Sequence, residues 1–346
     1  MDDAASVALP PLVSQLSGVV TLAMVAQRAG VSKGTASRAL NGHYGVSAQT
    51  RQMVLAAAEE MGFAHNEVAR SLTTGRTGTV GLLTNDLEGR FALPIMLGAE
   101  RALTGGPGAS ILLSNANGDS ALEDRRLRGL LSRQVDGVLI VGDRSDARDP
   151  IATAVPLPVV YVYSPSRDPR DVSVVPDDEQ GGYLAADHLL ERGCRRIVHI
   201  AGEDSFIAAH DRDAGIRRRL AEQGIDLAAP TRFGIWEEEW GWEGVTAMVD
   251  SGTRFDGLIC GSDYIARGAL DALRSRNLEL PRDVKMIGFD NMLHTSPRTR
   301  PPLTSIDLNL QGLGAAAADV LLEMCSGASR SGTITLPGSL IVREST

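Results

Sequence analysis

Apolar residues change period twice along the chain. From Thr21 an amphipathic helix is expected: Thr21 is an N-cap residue type, and Leu22, Val25, Ala26 and Ala29 recur at i, i+3, i+4 and i+7. Gly30 stops it. Ser32 caps a second helix that turns Ala36, Ala39 and Leu40 inward, leaves Lys33, Gly34, Thr35, Ser37 and Arg38 outside, and ends at Asn41-Gly42. Ser47 then opens a third helix, with Met53, Val54, Ala57, Ala58 and Met61 on its inner face and Gly62 at its end. Two short helices joined by a tight turn and backed by a support helix form a helix-turn-helix. The next segment, Asn66 to Leu72, carries an N-cap and a helical pattern but is too short to hold a helix alone in water.

From Thr79 onward, short aliphatic runs alternate with longer helical stretches. Strands are expected at Val80 to Thr84, Ile111 to Ser114, Val138 to Val141, Val159 to Tyr163, Ile197 to Ala201, Leu258 to Cys260 and Val284 to Phe289. Between them lie helical patterns such as Leu93 to Leu103, Glu123 to Leu131, Tyr183 to Glu191, Ala214 to Gln223 and Tyr264 to Arg274. Repeated β-α alternation predicts doubly wound parallel sheets, and so many elements predict two lobes rather than one open sheet. The fold class is therefore an all-α head followed by an α/β core.

Charge sharpens the division. The chain has 346 residues and a formal charge of -9, but residues 21–76 hold six Lys or Arg against three Glu. The basic surplus sits in the small helical block, where it suits a nucleic-acid partner. The stretch Leu12 to Ala26 is apolar, yet Asp2 and Asp3 precede it and Gln15 and Ser17 interrupt it, so it does not read as a signal peptide. No apolar run reaches the roughly 18 residues that span a bilayer. A cytoplasmic protein is expected. Cys194, Cys260 and Cys325 are widely spaced without a C-x-x-C, and the six His are scattered, which argues against disulfides and a metal site. No G-x-x-x-x-G-K-[ST], H-E-x-x-H or strand-borne G-x-G-x-x-G occurs, so neither an enzyme nor a cofactor is expected.

The string from Thr21 to Gly42, TLAMVAQRAGVSKGTASRALNG, resembles the DNA-reading head of the lactose-repressor (LacI/GalR) family. Further matches follow in family order: Val46 to Arg51, Val68 to Leu72 with Thr74 to Gly78, Val135 to Ile140, Ile287 to Asp290, Pro302 to Ser305, and Val342 to Thr346. The resemblance implies a homodimeric regulator with a helix-turn-helix head, a hinge helix, and a core of periplasmic-binding-protein type that takes a small effector. It further implies a leader over 1–20, expected to be disordered, a head over 21–65, a hinge and linker over 66–77, and a core over 78–346. The first lobe would comprise about 78–176 and 307–335, the second about 177–306 and 336–346. The end of the chain directly after Val342-Arg343-Glu344-Ser345 leaves no room for tetramerising leucine heptads, so a dimer is expected. The sequence departs from the family pattern at Met24, where Asp is common, at His65, where Pro is usual, and in Glu88-Gly89-Arg90-Phe91, a loose version of an Asn-Pro-Phe-Phe motif. Gly34 is a poor helix former in the reading helix, at a cost of about 1 kcal/mol.

On this resemblance, double-stranded operator DNA is contacted by Thr21, Ser32, Lys33, Gly34, Thr35, Ser37, Arg38, Asn41, Asn66, Ala69 and Leu72. The chemistry fits: backbone N–H groups at a helix start favour phosphate, Arg38 can bond guanine in the major groove, and Leu72 can wedge into the minor groove. Ordinary solvated helix positions, and interdomain packing for Leu72, are the competing readings. For the effector, Phe91, Arg212, Trp236, Ser262 and Asp290 are the candidates, placed at strand ends and helix starts where open α/β sheets bind ligands. Arg212 can offer a planar fork and Asp290 can accept from two hydroxyls, while Trp236 can cover a sugar ring. A structural Arg212–Asp290 ion pair and a core role for Trp236 remain the alternatives. The group Asp177-Asp178-Glu179 is assigned to helix capping. The function expected is a ligand-responsive regulator, a repressor of carbohydrate uptake or breakdown genes with a sugar effector. The alternative is a solute-binding module without DNA function.

Overall fold

The computed structural model describes residues 20–40, 44–63, 76–87, 89–104, 110–151 and 155–346. The chain divides into two compact units, Met1–Gly75 and Arg76–Thr346.

The first unit contains α1 (Leu22–Arg28), α2 (Lys33–Leu40) and α3 (Ala48–Glu60). Each start is fixed by a hydroxyl that accepts a free backbone N–H: Thr21 Oγ1 from Met24 at 3.4 Å, Ser32 Oγ from Thr35 at 3.1 Å, and Ser47 Oγ from Thr50 at 3.2 Å. Gly30, with φ of 66°, and Gly62, with φ of 64°, take the left-handed conformation just beyond α1 and α3. The core is Val25, Ala26, Ala29, Ala36, Ala39, Val54, Ala57 and Ala58. Met53 is not part of it. Positions 54, 57, 58 and 61 make one helical stripe, and Met53 falls about 90° from its centre and is 49% exposed.

The second unit is built on two sheets. In the first, the parallel order is β10-β5-β4-β3-β1-β2, with β1 (Thr79–Thr84), β2 (Ser110–Asn115), β3 (Gly137–Val141), β4 (Val159–Val162), β5 (Val172–Pro176) and β10 (Gly332–Leu336). The second runs β11-β9-β8-β7-β6, from β6 (Ile197–Ile200), β7 (Gly257–Cys260), β8 (Lys285–Phe289), β9 (Thr304–Asp307) and β11 (Ser339–Ile341), with only β11 antiparallel. The period-2 alternation divides the strands between faces. Leu82, Leu139, Val160 and Val162 meet α4 (Ala92–Leu103) and α10 (Leu310–Cys325), while Leu83, Val138, Ile140 and Tyr161 meet α5 (Ser120–Ser132). On the second sheet, α8 (Glu238–Asp250) and α9 (Asp263–Ser275) cover one face, and α6 (Asp178–Glu191) and α7 (Ile207–Ala221) the other. The chain crosses between the lobes after β5, after β9 and after β10.

Four strands lie outside the seven aliphatic runs read from the sequence: β5, β9, β10 and β11. Each mixes Ser or Thr into a run of three to five residues, so none forms a bare aliphatic block. Helices α5, α6 and α7 also begin earlier than their apolar pattern. The first turn of α6, Asp178-Glu179-Gln180-Gly181, is polar or small, and the side chains of Asp119 and Asp177 cap α5 and α6.

Candidate functional site

In the head, α2 presents Ser32, Lys33, Gly34 and Arg38 to solvent, with Thr35 and Ser37 half-buried. The Ser32 and Thr35 hydroxyls lie 2.9 Å apart at its N-terminus, and Arg38 Nε donates to Gly34 O at 3.3 Å, so the guanidinium lies along its own helix. Thr21 is exposed and caps α1. Arg51 Nη1 donates to Ala39 O at 3.1 Å and ties α3 to the end of α2. The expected contacts Asn41, Asn66, Ala69 and Leu72, and the hinge helix with them, fall outside the described residues.

In the core, β6, β7 and β8 run parallel, so the segments that follow them emerge at one edge. Arg212 reaches this edge from the second turn of α7 and is 2% exposed. Its Nε donates to Asp178 Oδ1 at 2.7 Å and its Nη1 to Gly261 O at 2.5 Å, while Asp290 Oδ1 lies 3.8 Å from Nη1. Asp178 is therefore not a helix cap. Asp177 caps α6, and Asp178 is the buried counter-ion of Arg212. Burial raises the Asp178 carboxyl and the guanidinium opposes that rise. For Arg212, burial acts to lower the group, but the charges of Asp178 and Asp290 outweigh it and hold it protonated. Close helix packing sets this placement: a Cβ on Gly182 would stand 2.0 Å from Arg212 O, and one on Gly215 1.9 Å from Glu179 O. Only glycine lets α6 and α7 approach so closely.

Asp290 follows β8 with φ of 90°, an uncommon conformation for a non-glycine residue and a form of local strain that clusters at ligand sites. Its side chain is 4% exposed, and Oδ1 makes no hydrogen bond. Trp236 also has a buried Nε1 without a hydrogen bond, whereas Trp240 Nε1 donates to Ala201 O at 2.9 Å. The Trp236 ring stacks where a Cβ of Gly202 would be, 2.2 Å from the nearest ring atom, and packs edge-on to Phe206 at 5.7 Å. Ser262 is fully buried, and its hydroxyl accepts from Ile265 N at 3.2 Å as the cap of α9. Beneath Asp290 lies Asp263, which accepts from Met292 N, Ser296 Oγ and Ser305 Oγ. Burial and then the Asp290 charge push its carboxyl up to about 7 despite these donors.

The first lobe supplies the facing wall. Phe91 stacks on Tyr163 with ring centroids 4.5 Å apart. Arg90, mentioned in the sequence only as part of a loose motif, lies 3.5 Å from Asp290 Oδ2 and 4.7 Å from the Tyr264 ring, bridging the lobes. Asp146 Oδ1 likewise accepts from Ile207 N at 3.2 Å, at the start of α7. The structure thus brings Arg212, Asp290 and Trp236 together with Phe91 opposite, and adds Arg90 and Asp178. A separate cavity of about 380 Å³ opens beyond β1 and β3, lined among others by Asn85, Glu123, Asp146, Arg148 and Ser164; none of the five expected effector residues lines it.

A helix-turn-helix head on a chain whose core has two sheet lobes facing a polar, aromatic cleft defines a ligand-binding transcriptional regulator. The chain belongs to the lacI family of bacterial regulatory proteins: that family's model matches residues 21–66, and the periplasmic binding protein-like domain matches 186–346. It is 33% identical to the HTH-type transcriptional regulator RegA of Clostridium saccharobutylicum, over 93% of this chain and 98% of that one. It is 34% identical to the regulator CelR of Thermobifida fusca, over 94% and 98% of the two chains. Among solved structures, the lac repressor dimer bound to operator and the anti-inducer ONPF superposes with a TM-score of 0.72 at 29% identity, covering 94% of this chain and 98% of that one. A CelR–cellobiose complex gives 0.64 at 30% identity, covering 94% and 100%. Among the described residues no helix is long and apolar enough to cross a membrane.

Proposed function

We propose that this regulator binds near-palindromic operator DNA as a homodimer through α2, and that a sugar-class polyol in the interlobe cleft changes that affinity. The genes controlled are those of carbohydrate uptake or breakdown, repressed when the operator is occupied, and the protein performs no catalytic step. In this reading Lys33, Thr35, Ser37 and Arg38 face the major groove, with Ser32 and the helix start on phosphate and Thr21 and Gly34 at the rim. Asn41, Asn66, Ala69 and Leu72 complete the contact.

The observation that carries the effector assignment is the pair of unbonded atoms in the cleft. Asp290 Oδ1 and Trp236 Nε1 are buried without a hydrogen bond, both neighbour Arg212, at 3.8 Å from the Oδ1 and 5.7 Å from the indole centroid, and an acceptor together with an indole is suited to a hydroxylated ring. Arg212 contributes chiefly by holding Asp178 and the Gly261 carbonyl in place, with one nitrogen directed toward Asp290. Phe91 lines the opposite wall, and Ser262 shapes the start of α9. The cellobiose complex of CelR supports the ligand class, and the operator complex of the lac repressor supports the DNA assignment. Calorimetry of a sugar panel against wild type and Asp290→Asn tests the cleft: a sugar that binds wild type and loses about 1.4 kcal/mol or more in the variant, a tenfold change, is the expected result. Undiminished binding by the variant contradicts it. Light scattering should give twice 36.6 kDa.

A further inference from the structure

We infer that the effector carries an anionic group as well as hydroxyls, and that Arg90 selects it; this deepens, and rests on, the polyol reading of the cleft. Three other guanidinium groups of this region are committed, and Arg232, whose Nε is also buried without a hydrogen bond, lies 5.5 Å from the Trp240 ring centroid. Arg212 is closed onto Asp178 at 2.7 Å and Arg148 onto Glu123 at 2.6 Å, while Arg144 lies 4.2 Å over the Phe206 ring. Arg90 differs. Its Nη1 is buried without a hydrogen bond and stands 3.5 Å from Asp290 Oδ2, a distance at which charges attract but no hydrogen bond forms. Its guanidinium carbon lies 4.7 Å from the centroid of the Tyr264 ring and 5.5 Å from that of Phe91, and its side chain keeps 27% exposure toward solvent.

Arg90 and Asp290 belong to opposite lobes, so a ligand lying between the lobes inserts between them. Hydroxyls that hydrogen-bond Asp290 replace its contact with the guanidinium, and the rings keep Arg90 in the cleft. A partly desolvated cation left without a partner is costly. A carboxylate or phosphate on the ligand answers it with two parallel N–H···O bonds, the geometry for which a guanidinium is built. The site thus has an acceptor end at Asp290 for hydroxyls, an indole at Trp236 for a ring face, and a cationic end at Arg90. A sugar acid or a sugar phosphate presents all three complements; a neutral sugar lacks one.

The test is calorimetry on the full chain with glucose and galactose, glucuronate and galacturonate, glucose 6-phosphate, and inorganic phosphate, for wild type and Arg90→Met. A charge-assisted bond corresponds to about 10- to 100-fold in affinity, so an acidic sugar should bind wild type more tightly than its neutral parent by that factor. Arg90→Met should bring the acid's affinity down to that of its neutral parent and so erase the preference, and a thermal unfolding midpoint close to wild type shows that the variant is folded. The uronate and phosphate arms identify which anion is used. A neutral sugar binding as well as its acid, a preference that survives Arg90→Met, or inorganic phosphate binding as tightly as the sugar acids overturns this inference and leaves the polyol cleft standing. Binding of no polyol overturns the cleft assignment itself.

Discussion

Removing the guanidinium of Arg212 should be felt first as lost stability. Arg212 is 2% exposed and Asp178 is 4% exposed, and they meet at 2.7 Å with the Gly261 carbonyl as the third partner. Arg212→Ala strands a carboxylate in the interior, and breaking a buried pair from one side costs about 3–5 kcal/mol. Against a total of about 5–15 kcal/mol, that is a large fraction, so a lost DNA response in this variant would not by itself report a lost ligand contact. Urea unfolding of wild type, Arg212→Ala, Asp178→Asn and the double variant separates the two effects. The double variant should recover about 1–3 kcal/mol relative to the sum of the single losses, because the stranded charge is gone. The sign with pH is fixed as well. Without Arg212, burial and then the Asp290 charge act on Asp178 against only the Ser145 hydroxyl and raise its folded-state pKa further above the unfolded value, so the native state binds the extra proton. The deficit should therefore be smallest below the unfolded carboxylate pKa and grow as pH rises toward the folded one. A loss under about 1 kcal/mol at neutral pH, or strict additivity in the cycle, refutes the reasoning.

Arg38→Ala should cost about 1–3 kcal/mol in DNA binding and relax one base position in a selection from random duplexes; an unchanged profile contradicts the placement of α2. Gly202→Ala puts a methyl 2.2 Å from a Trp236 ring atom, so it should shift the tryptophan fluorescence, weaken effector binding and cost about 1–3 kcal/mol of stability. With the folded Asp263 carboxyl at about 7 and the unfolded one at 3.8, this group's contribution is most favourable below the unfolded value and declines as pH rises to the folded one. Asp263→Asn should flatten that part of the pH–stability curve, and an unchanged slope would assign it to another group.

The helical head was the most legible part of the sequence, because Thr21, Ser32 and Ser47 are caps whose bonds are local and whose spacing to the apolar stripes is fixed by the helix. The strand blocks around Leu82, Ile140 and Ile259 were equally plain, since burial on both faces demands an unbroken aliphatic run. Edge strand β10 was not, because Thr333 to Thr335 are exposed and carry no such demand. In the cleft, residue type alone pointed to Arg212, Asp290 and Trp236. The ion pair of Arg212 with Asp290, weighed as an alternative, is present at 3.8 Å, but its bond to Asp178 was not legible, since Asp178 lies 34 residues earlier on a different helix and only the close α6–α7 packing joins them. Arg90 escaped for the same reason: its meaning comes from Asp290, which belongs to the other lobe. The one local signal was the glycine at Gly182 and Gly215, unfavourable inside helices and therefore a sign of backbone approach.

Operator affinity measured with and without the effector reports most directly on whether the cleft controls the head. Fluorescence anisotropy of a selected duplex, titrated with wild type and Asp290→Asn in the presence of a sugar found to bind by calorimetry, reads the coupling between cleft and head. A coupling of about 1–3 kcal/mol predicts a 5- to 150-fold change in affinity for wild type and, at the same sub-saturating sugar concentration, a much smaller one for the variant. A sugar that saturates the wild-type cleft while operator affinity stays constant, or that changes it equally in both proteins, contradicts the account.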